Sequence, residues 1–236
     1  MAGEFGTVLN IVVLYPDLLG TYGDVGNGLV LAERARRRDI EVTLSAVELH
    51  DDVPAASIYL LGGGEDGPQR LACDLLVRQS FASVVRDGAC VVAVCAGLQI
   101  LGRRFSVEGS AQYDGLGLVG AETRRGVRRS VGPLAVRVNE HWLVGFENHG
   151  GTTILDPGTE ALGTVARGRG NDGALDGYRG ERIWATYAHG PALAMNPWLA
   201  DQVLETALGH SLDPLATVAD QLHAERCSAL KLGPLA

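Results

Sequence analysis

The chain is short of cysteine, of lysine and of long apolar runs, and each shortage excludes a class of protein. Its 236 residues hold four cysteines, at 73, 90, 95 and 227. They are too few for a disulfide framework. No Cys-x-x-Cys or neighbouring histidine makes a zinc site of them. Reduced thiols in a cytoplasmic protein are the simplest reading. Lysine occurs once, at Lys231, against 19 arginines, and acid outweighs base to give a net charge of −8. That balance argues against nucleic acid as a partner. No apolar stretch approaches the roughly 20 residues that span a bilayer, and the start lacks a signal-peptide pattern. Residues 1–7 read as a cloning remnant. Neither a repeat nor a linker divides the rest of the chain, so one domain is expected over residues 8–236.

What is present is an alternation of apolar runs and helical stretches. Strands are expected at 9–15, 41–47, 57–61 and Cys90–Val94, with helices at 27–38, 68–86 and Ala96–Leu101 between and after them. Glu33 and Arg37 form an i,i+4 pair on the first of these helices. Short continuous apolar strands separated by helices predict a mostly parallel sheet covered on both faces. The second half changes character. Strands are expected at 134–138, 142–146 and 182–187, with a turn at Asn139-Glu140-His141. A glycine-rich surface loop is expected at 168–180, and helices at Pro197–Leu208 and 214–230.

In open α/β sheets, sites form at the carboxyl ends of the strands. Cys95 stands at such an end, between the run Cys90–Val94 and a helix that begins with small residues. That is the layout of a nucleophile elbow with cysteine in place of serine. A lone cysteine is more often a small core residue. Here Ala93, Ala96 and Gly97 give the tight turn its room, and a helix start is expected to lower the thiol pKa. Two histidines compete for the part of general base: His189, which ends another apolar run and precedes Gly190-Pro191, and His149. Position alone leaves both open. The Gly62-Gly63-Gly64 turn could lend a backbone N–H to an oxyanion beside that of Ala96. Arg124, Arg125, Arg128 and Arg129 cluster, and one of them could clamp a substrate carboxylate. Gly23–Gly28 lacks the glycine spacing and the Gly-Lys-Ser/Thr of a phosphate loop, so nucleotide binding there is rejected.

These residues resemble the class I, triad-type glutamine amidotransferases, in the cobyric-acid-synthase-like branch. The elbow Val94-Cys95-Ala96-Gly97-Leu98-Gln99 and the segment Thr186-Tyr187-Ala188-His189-Gly190-Pro191 carry the resemblance. Leu19–Asn27, Leu61–Gly64 and Gly145–Gly151 extend it to the glutaminase subunits of lipid II isoglutaminyl synthases. The resemblance implies a flavodoxin-like, three-layer α/β fold. It assigns Cys95 as nucleophile and His189 as base. Ala96, Gly63 and Gly64 would form the oxyanion hole. Arg129, Gln99 and Asn148 would bind L-glutamine, with Arg128 the neighbouring alternative to Arg129. The usual His-x-Glu is absent because Pro191 takes the place of the acid. The resemblance therefore implies that a MurT-like, Mur-ligase-family partner supplies the third catalytic acid, with Asp24 and Glu147 the candidates should the acid lie within this chain. ATP and Mg would bind on that partner, leaving no cofactor here. A glutaminase serving another acceptor, such as cobyrinic acid, and a non-catalytic flavodoxin-like module are the competing readings.

Overall fold

A computed structural model of the chain describes residues 8–107 and 112–235. The segment 1–7, read above as a cloning remnant, lies outside the described residues. The first half alternates as expected. In order come β1 (Leu9–Leu14), α1 (Pro16–Leu19), α2 (Gly26–Arg36), β2 (Val42–Val47), β3 (Ile58–Leu61), α3 (Asp66–Arg78), α4 (Phe81–Arg86), β4 (Cys90–Val94) and α5 (Ala96–Leu101). The second half holds β5 (Arg104–Ser106), β6 (Gln112–Asp114), β7 (Ala121–Val138), β8 (His141–Leu155), β9 (Gly163–Arg167), β10 (Leu175–Asp176), β11 (Tyr178–Arg179), β12 (Ile183–Thr186), α6 (Ala192–Met195), α7 (Pro197–Leu208) and α8 (Val218–Ala229).

Two sheets result. The first has the order β11-β12-β4-β3-β1-β2. Every pairing in it is parallel except β11 against β12. Its inner strands β3, β4 and β12 are buried at every position, which is why they read as unbroken apolar runs. Consecutive residues of a strand face opposite ways. Leu60 lies close under Gly28 of α2, while Tyr59 packs edge-on against Phe81 of α4, with ring centroids 5.0 Å apart. Helices therefore cover both faces, giving the three layers expected.

The second sheet, β10-β9-β7-β5-β6 with β8 on β7, is mostly antiparallel. Its backbone is the long β7–β8 hairpin, which turns at Asn139 with φ 51°. The register of the hairpin shifts between Arg125 and Ser130. The strands expected at 134–138 and 142–146 are only the turn-proximal ends of this hairpin. The rest alternates polar and small residues and carries no apolar signal.

Three further expectations are corrected. The helix expected at 68–86 is two helices, broken where Ser80 takes φ 53°. The stretch 168–180 is not simply a surface loop, because Asn171 and Asp176 within it are buried. The last helix starts at Val218 rather than 214, because Thr217 caps it in a reciprocal box with Asp220. The C-terminal elements are tied down by Arg34, buried, whose guanidinium grips Asp201 of α7 through Nε at 2.7 Å and Nη2 at 2.5 Å. Among the described residues no helix is long and apolar enough to cross a membrane.

Candidate active site

Cys95 joins β4 to α5 with φ 52° and ψ −101°. A side chain-bearing residue rarely adopts a positive φ, and such strain concentrates at functional sites. Hydrogen bonds hold the turn in place. The Cys95 N–H donates to Thr186 O at 2.9 Å and the Gly97 N–H to Gly62 O at 3.2 Å. A Cβ at Gly97 would stand 2.6 Å from Leu61 O, so only glycine lets α5 begin this close to β3. The strained strand-to-helix turn expected from the sequence is present.

The thiol does not behave as expected at a helix start. Burial pushes its pKa up to about 12, and the Asp24 carboxylate adds to the rise. The Ala96 N–H, bonded to the sulfur, and the Arg129 guanidinium pull the other way and are outweighed. Desolvation of a thiolate exceeds what the first turn of a six-residue helix can offer.

The two histidines are built differently. His189 follows β12 and is fully buried. Its backbone N–H and C=O exchange hydrogen bonds with Phe146 at 2.8 and 3.1 Å. Its Nδ1 lies 2.9 Å from Asp24 Oδ2, the same oxygen that accepts the Gly63 N–H at 2.9 Å. With Nδ1–H donating to the carboxylate, Nε2 carries the lone pair, and Nε2 is buried without a partner. His149 has both nitrogens engaged. Nδ1 is 3.0 Å from Gly151 O and Nε2 is 3.3 Å from Glu147 Oε2. Glu147 is itself held by the N–H groups of Arg169 and Gly170 at 2.8 and 2.9 Å. Of these two histidines, only His189 keeps a nitrogen free to take a proton.

Within this chain a carboxylate already stands at His189. Asp24 occupies Nδ1, the position for which a partner's acid was expected. It lies 165 residues away in sequence and reaches the ring because the loop after α1 crosses the same end of the sheet. Gly63 is what lets the imidazole in, since a Cβ there would stand 2.5 Å from His189 Cε1.

Cys95 opens onto a cavity of about 330 Å³ lined by Tyr22, Gly64, Gln99, Arg129 and Asn148 among others. Arg129 Nε donates to Asn148 Oδ1 at 2.6 Å. Both residues also donate to the Tyr22 hydroxyl, Asn148 Nδ2 at 2.8 Å and Arg129 Nη2 at 3.3 Å. Gln99 is held from two sides, donating to Tyr187 Oη at 3.1 Å and accepting from Gln69 Nε2 at 2.9 Å. Arg129 lines this cavity and Arg128 does not. Of the expected oxyanion donors, the Ala96 N–H lies at the sulfur and Gly64 lines the cavity. The N–H of Gly63, the remaining expected donor, is engaged by Asp24 Oδ2.

His189 does not line the cavity. The Tyr22 ring packs against it at a tilt, with centroids 4.5 Å apart, and Phe146 packs on it at 5.4 Å. No hydrogen bond joins Sγ to the imidazole among the described residues. Tyr22 escaped the sequence reading, and Asp24 stood there only as a fallback acid, because nothing in the glycine-rich stretch itself points toward the histidine. No group of three or more metal-binding side chains forms a cluster among the described residues.

Residues 10–197 match the CobB/CobQ-like glutamine amidotransferase domain, and the chain belongs to that family. Its fold is that of a class I glutamine amidotransferase. The chain is 34% identical over 216 residues to the GatD subunit of the glutamine-hydrolysing lipid II isoglutaminyl synthase of Streptococcus pneumoniae, covering 87% of this chain and 83% of that protein. It is 30% identical over 204 residues to GatD of Staphylococcus aureus, covering 84% of each. A cobyric acid synthase of Bacteroides fragilis is 32% identical over 184 residues, which are 71% of this chain but 35% of the synthase. Two solved structures share the fold. A glutamine amidotransferase superposes with a TM-score of 0.59 at 21% identity, over 84% of this chain and 98% of that one. PurLQS from Thermotoga maritima gives 0.58 at 15% identity, over 85% and 98%.

Proposed function

We propose that this chain is the glutaminase subunit of a lipid II isoglutaminyl synthase, hydrolysing L-glutamine with Cys95 as nucleophile and His189 as base. The reading is carried by one observation above all: a strained elbow cysteine opens onto the cavity that holds Arg129 and Asn148, beside a histidine whose Nδ1 is fixed by Asp24. The likeness to GatD over most of both chains supports the choice of acceptor.

In this reading Arg129 and Asn148 take the α-carboxylate of glutamine, with Gln99 beside the bound amino acid. The thiol proton passes to His189 Nε2 as Sγ attacks the side-chain amide carbon. The oxyanion is met by the N–H of Ala96 and the Gly64 backbone. As the C–N bond breaks, the imidazolium proton goes to the departing nitrogen and ammonia leaves. Water then gives its proton to His189 and its oxygen to the acyl carbon. Glutamate departs and the thiol is restored.

Ammonia so released serves a MurT-like, ATP-using partner that amidates D-glutamate in the lipid II stem. ATP and Mg belong to that partner and this chain works without a cofactor. A cytoplasmic place suits the reading, as do four unpaired cysteines. The test is Cys95→Ala. Glutamine hydrolysis should vanish while the melting temperature holds, and a variant that still turns over glutamine ends the proposal.

A further inference from the structure

Tyr22 touches both halves of the site. Its hydroxyl is the shared acceptor of Asn148 Nδ2 and Arg129 Nη2, at 2.8 and 3.3 Å. Its ring lies 4.5 Å from that of His189. Tyr22, Cys95, Arg129 and Asn148 line the cavity, and His189, in ring contact with Tyr22, lies outside that lining with an unpartnered Nε2. In this arrangement the thiol and the imidazole are not bonded to each other. The groups that anchor the tyrosine are the same ones that would take a substrate carboxylate.

We infer that Tyr22 is a positioning residue that couples occupancy of the Arg129–Asn148 carboxylate site to exposure of His189. The inference rests on the glutaminase reading above. An α-carboxylate seated on Arg129 and Asn148 competes for the donors now given to the Tyr22 hydroxyl. The ring then loses its anchors and moves from its contact with His189, and Nε2 comes within reach of Sγ. A ligand shifts such an equilibrium only by binding one state better than the other. The carboxylate does so here, because the closed state occupies its donors. Binding energy from a part of the substrate that does not react thereby appears in the rate of the part that does.

The coupling is read by comparing L-glutamine with 4-aminobutanamide, which keeps the reacting amide and lacks the α-carboxylate. Ammonia release at saturating substrate gives kcat for each. The wild-type chain should show a kcat on glutamine about tenfold or more above that on 4-aminobutanamide, in addition to a lower KM. In Tyr22→Phe, which keeps the ring and removes the anchored oxygen, the two kcat values should converge to within about threefold while the KM difference persists. A Tyr22→Phe enzyme that keeps the wild-type kcat ratio overturns the inference. So does a wild-type enzyme whose two substrates differ in KM alone, a result that needs no variant to fold. A wild-type chain that hydrolyses neither amide even with its partner subunit present removes the glutaminase reading itself, and the inference with it.

Discussion

Replacing Asp24 by asparagine tests where the orienting acid resides. In the native site Oδ2 accepts from both His189 Nδ1 and the Gly63 N–H, each at 2.9 Å, and Oδ1 is buried without a partner. The Gly63 N–H needs an acceptor, so the amide oxygen of an asparagine should settle where Oδ2 stands and its NH₂ where Oδ1 stands. The imidazole then keeps its tautomer, with Nε2 still bare. What is lost is the negative charge opposite an imidazolium that forms during the reaction. Two unit charges about 4 Å apart at an effective dielectric of about 20 interact by about 4 kcal/mol. Exchanging a charge-assisted for a neutral hydrogen bond points the same way, with a smaller loss. The expected result is a fall in kcat of about 10²–10³, with little change in KM. A flipped tautomer would cost nearer 10⁴. The assay is glutamate release by the folded variant, with and without the partner subunit. Asp24→Asn turnover within about threefold of wild type would refute the assignment. Recovery of full turnover on adding the partner would place the working acid there instead.

Burial holds the Cys95 thiol protonated, with a pKa of about 12, so alkylation of the ligand-free protein by iodoacetamide should be slow at pH 7 and rise about tenfold per pH unit through pH 9. A plateau by pH 8 would show a thiolate already formed. Gly63→Ala places a methyl against the His189 ring, 2.5 Å from Cε1. It should lower kcat by about 10² or more by displacing the base, and native-like turnover would mean the ring need not stay there. Asp176 is fully buried and its pKa is raised to about 6 by desolvation, above the unfolded value of about 3.9. The native state therefore binds more protons than the unfolded state between about pH 4 and 6, and stability should fall as pH rises through that window. Asp176→Asn should remove this fall, read as melting temperatures at pH 4 and pH 7. Parallel pH profiles for the two proteins would contradict it.

The elbow was legible because its physics is local. An unbroken apolar strand, a flank of small residues and a helix start lie within ten positions of one another. The same holds for the parallel sheet, whose inner strands are buried on both sides and read as apolar runs. The pairing of His189 with Asp24 left no such trace, because two elements far apart in sequence meet only when the sheet assembles. Glu147 shows the converse. The loop that looked like a surface feature turns inward to give it the N–H groups of Arg169 and Gly170. The break before α4 was hidden because Ser80, neither glycine nor proline, takes the left-handed conformation. The lowered pKa expected at Cys95 fails for a reason of depth, since the sequence marks the helix start but not how far water is excluded from it.

The site is divided between two sheets. The parallel sheet carries the sulfur, the imidazole and, on a connecting loop, the carboxylate behind it. The β7–β8 hairpin carries Arg129 and Asn148. In the proposed reading, the bond-breaking groups and the carboxylate clamp therefore stand on separate sheets. Because Phe146 of the same hairpin bonds the His189 backbone, a change to the carboxylate clamp would be felt at the imidazole as well.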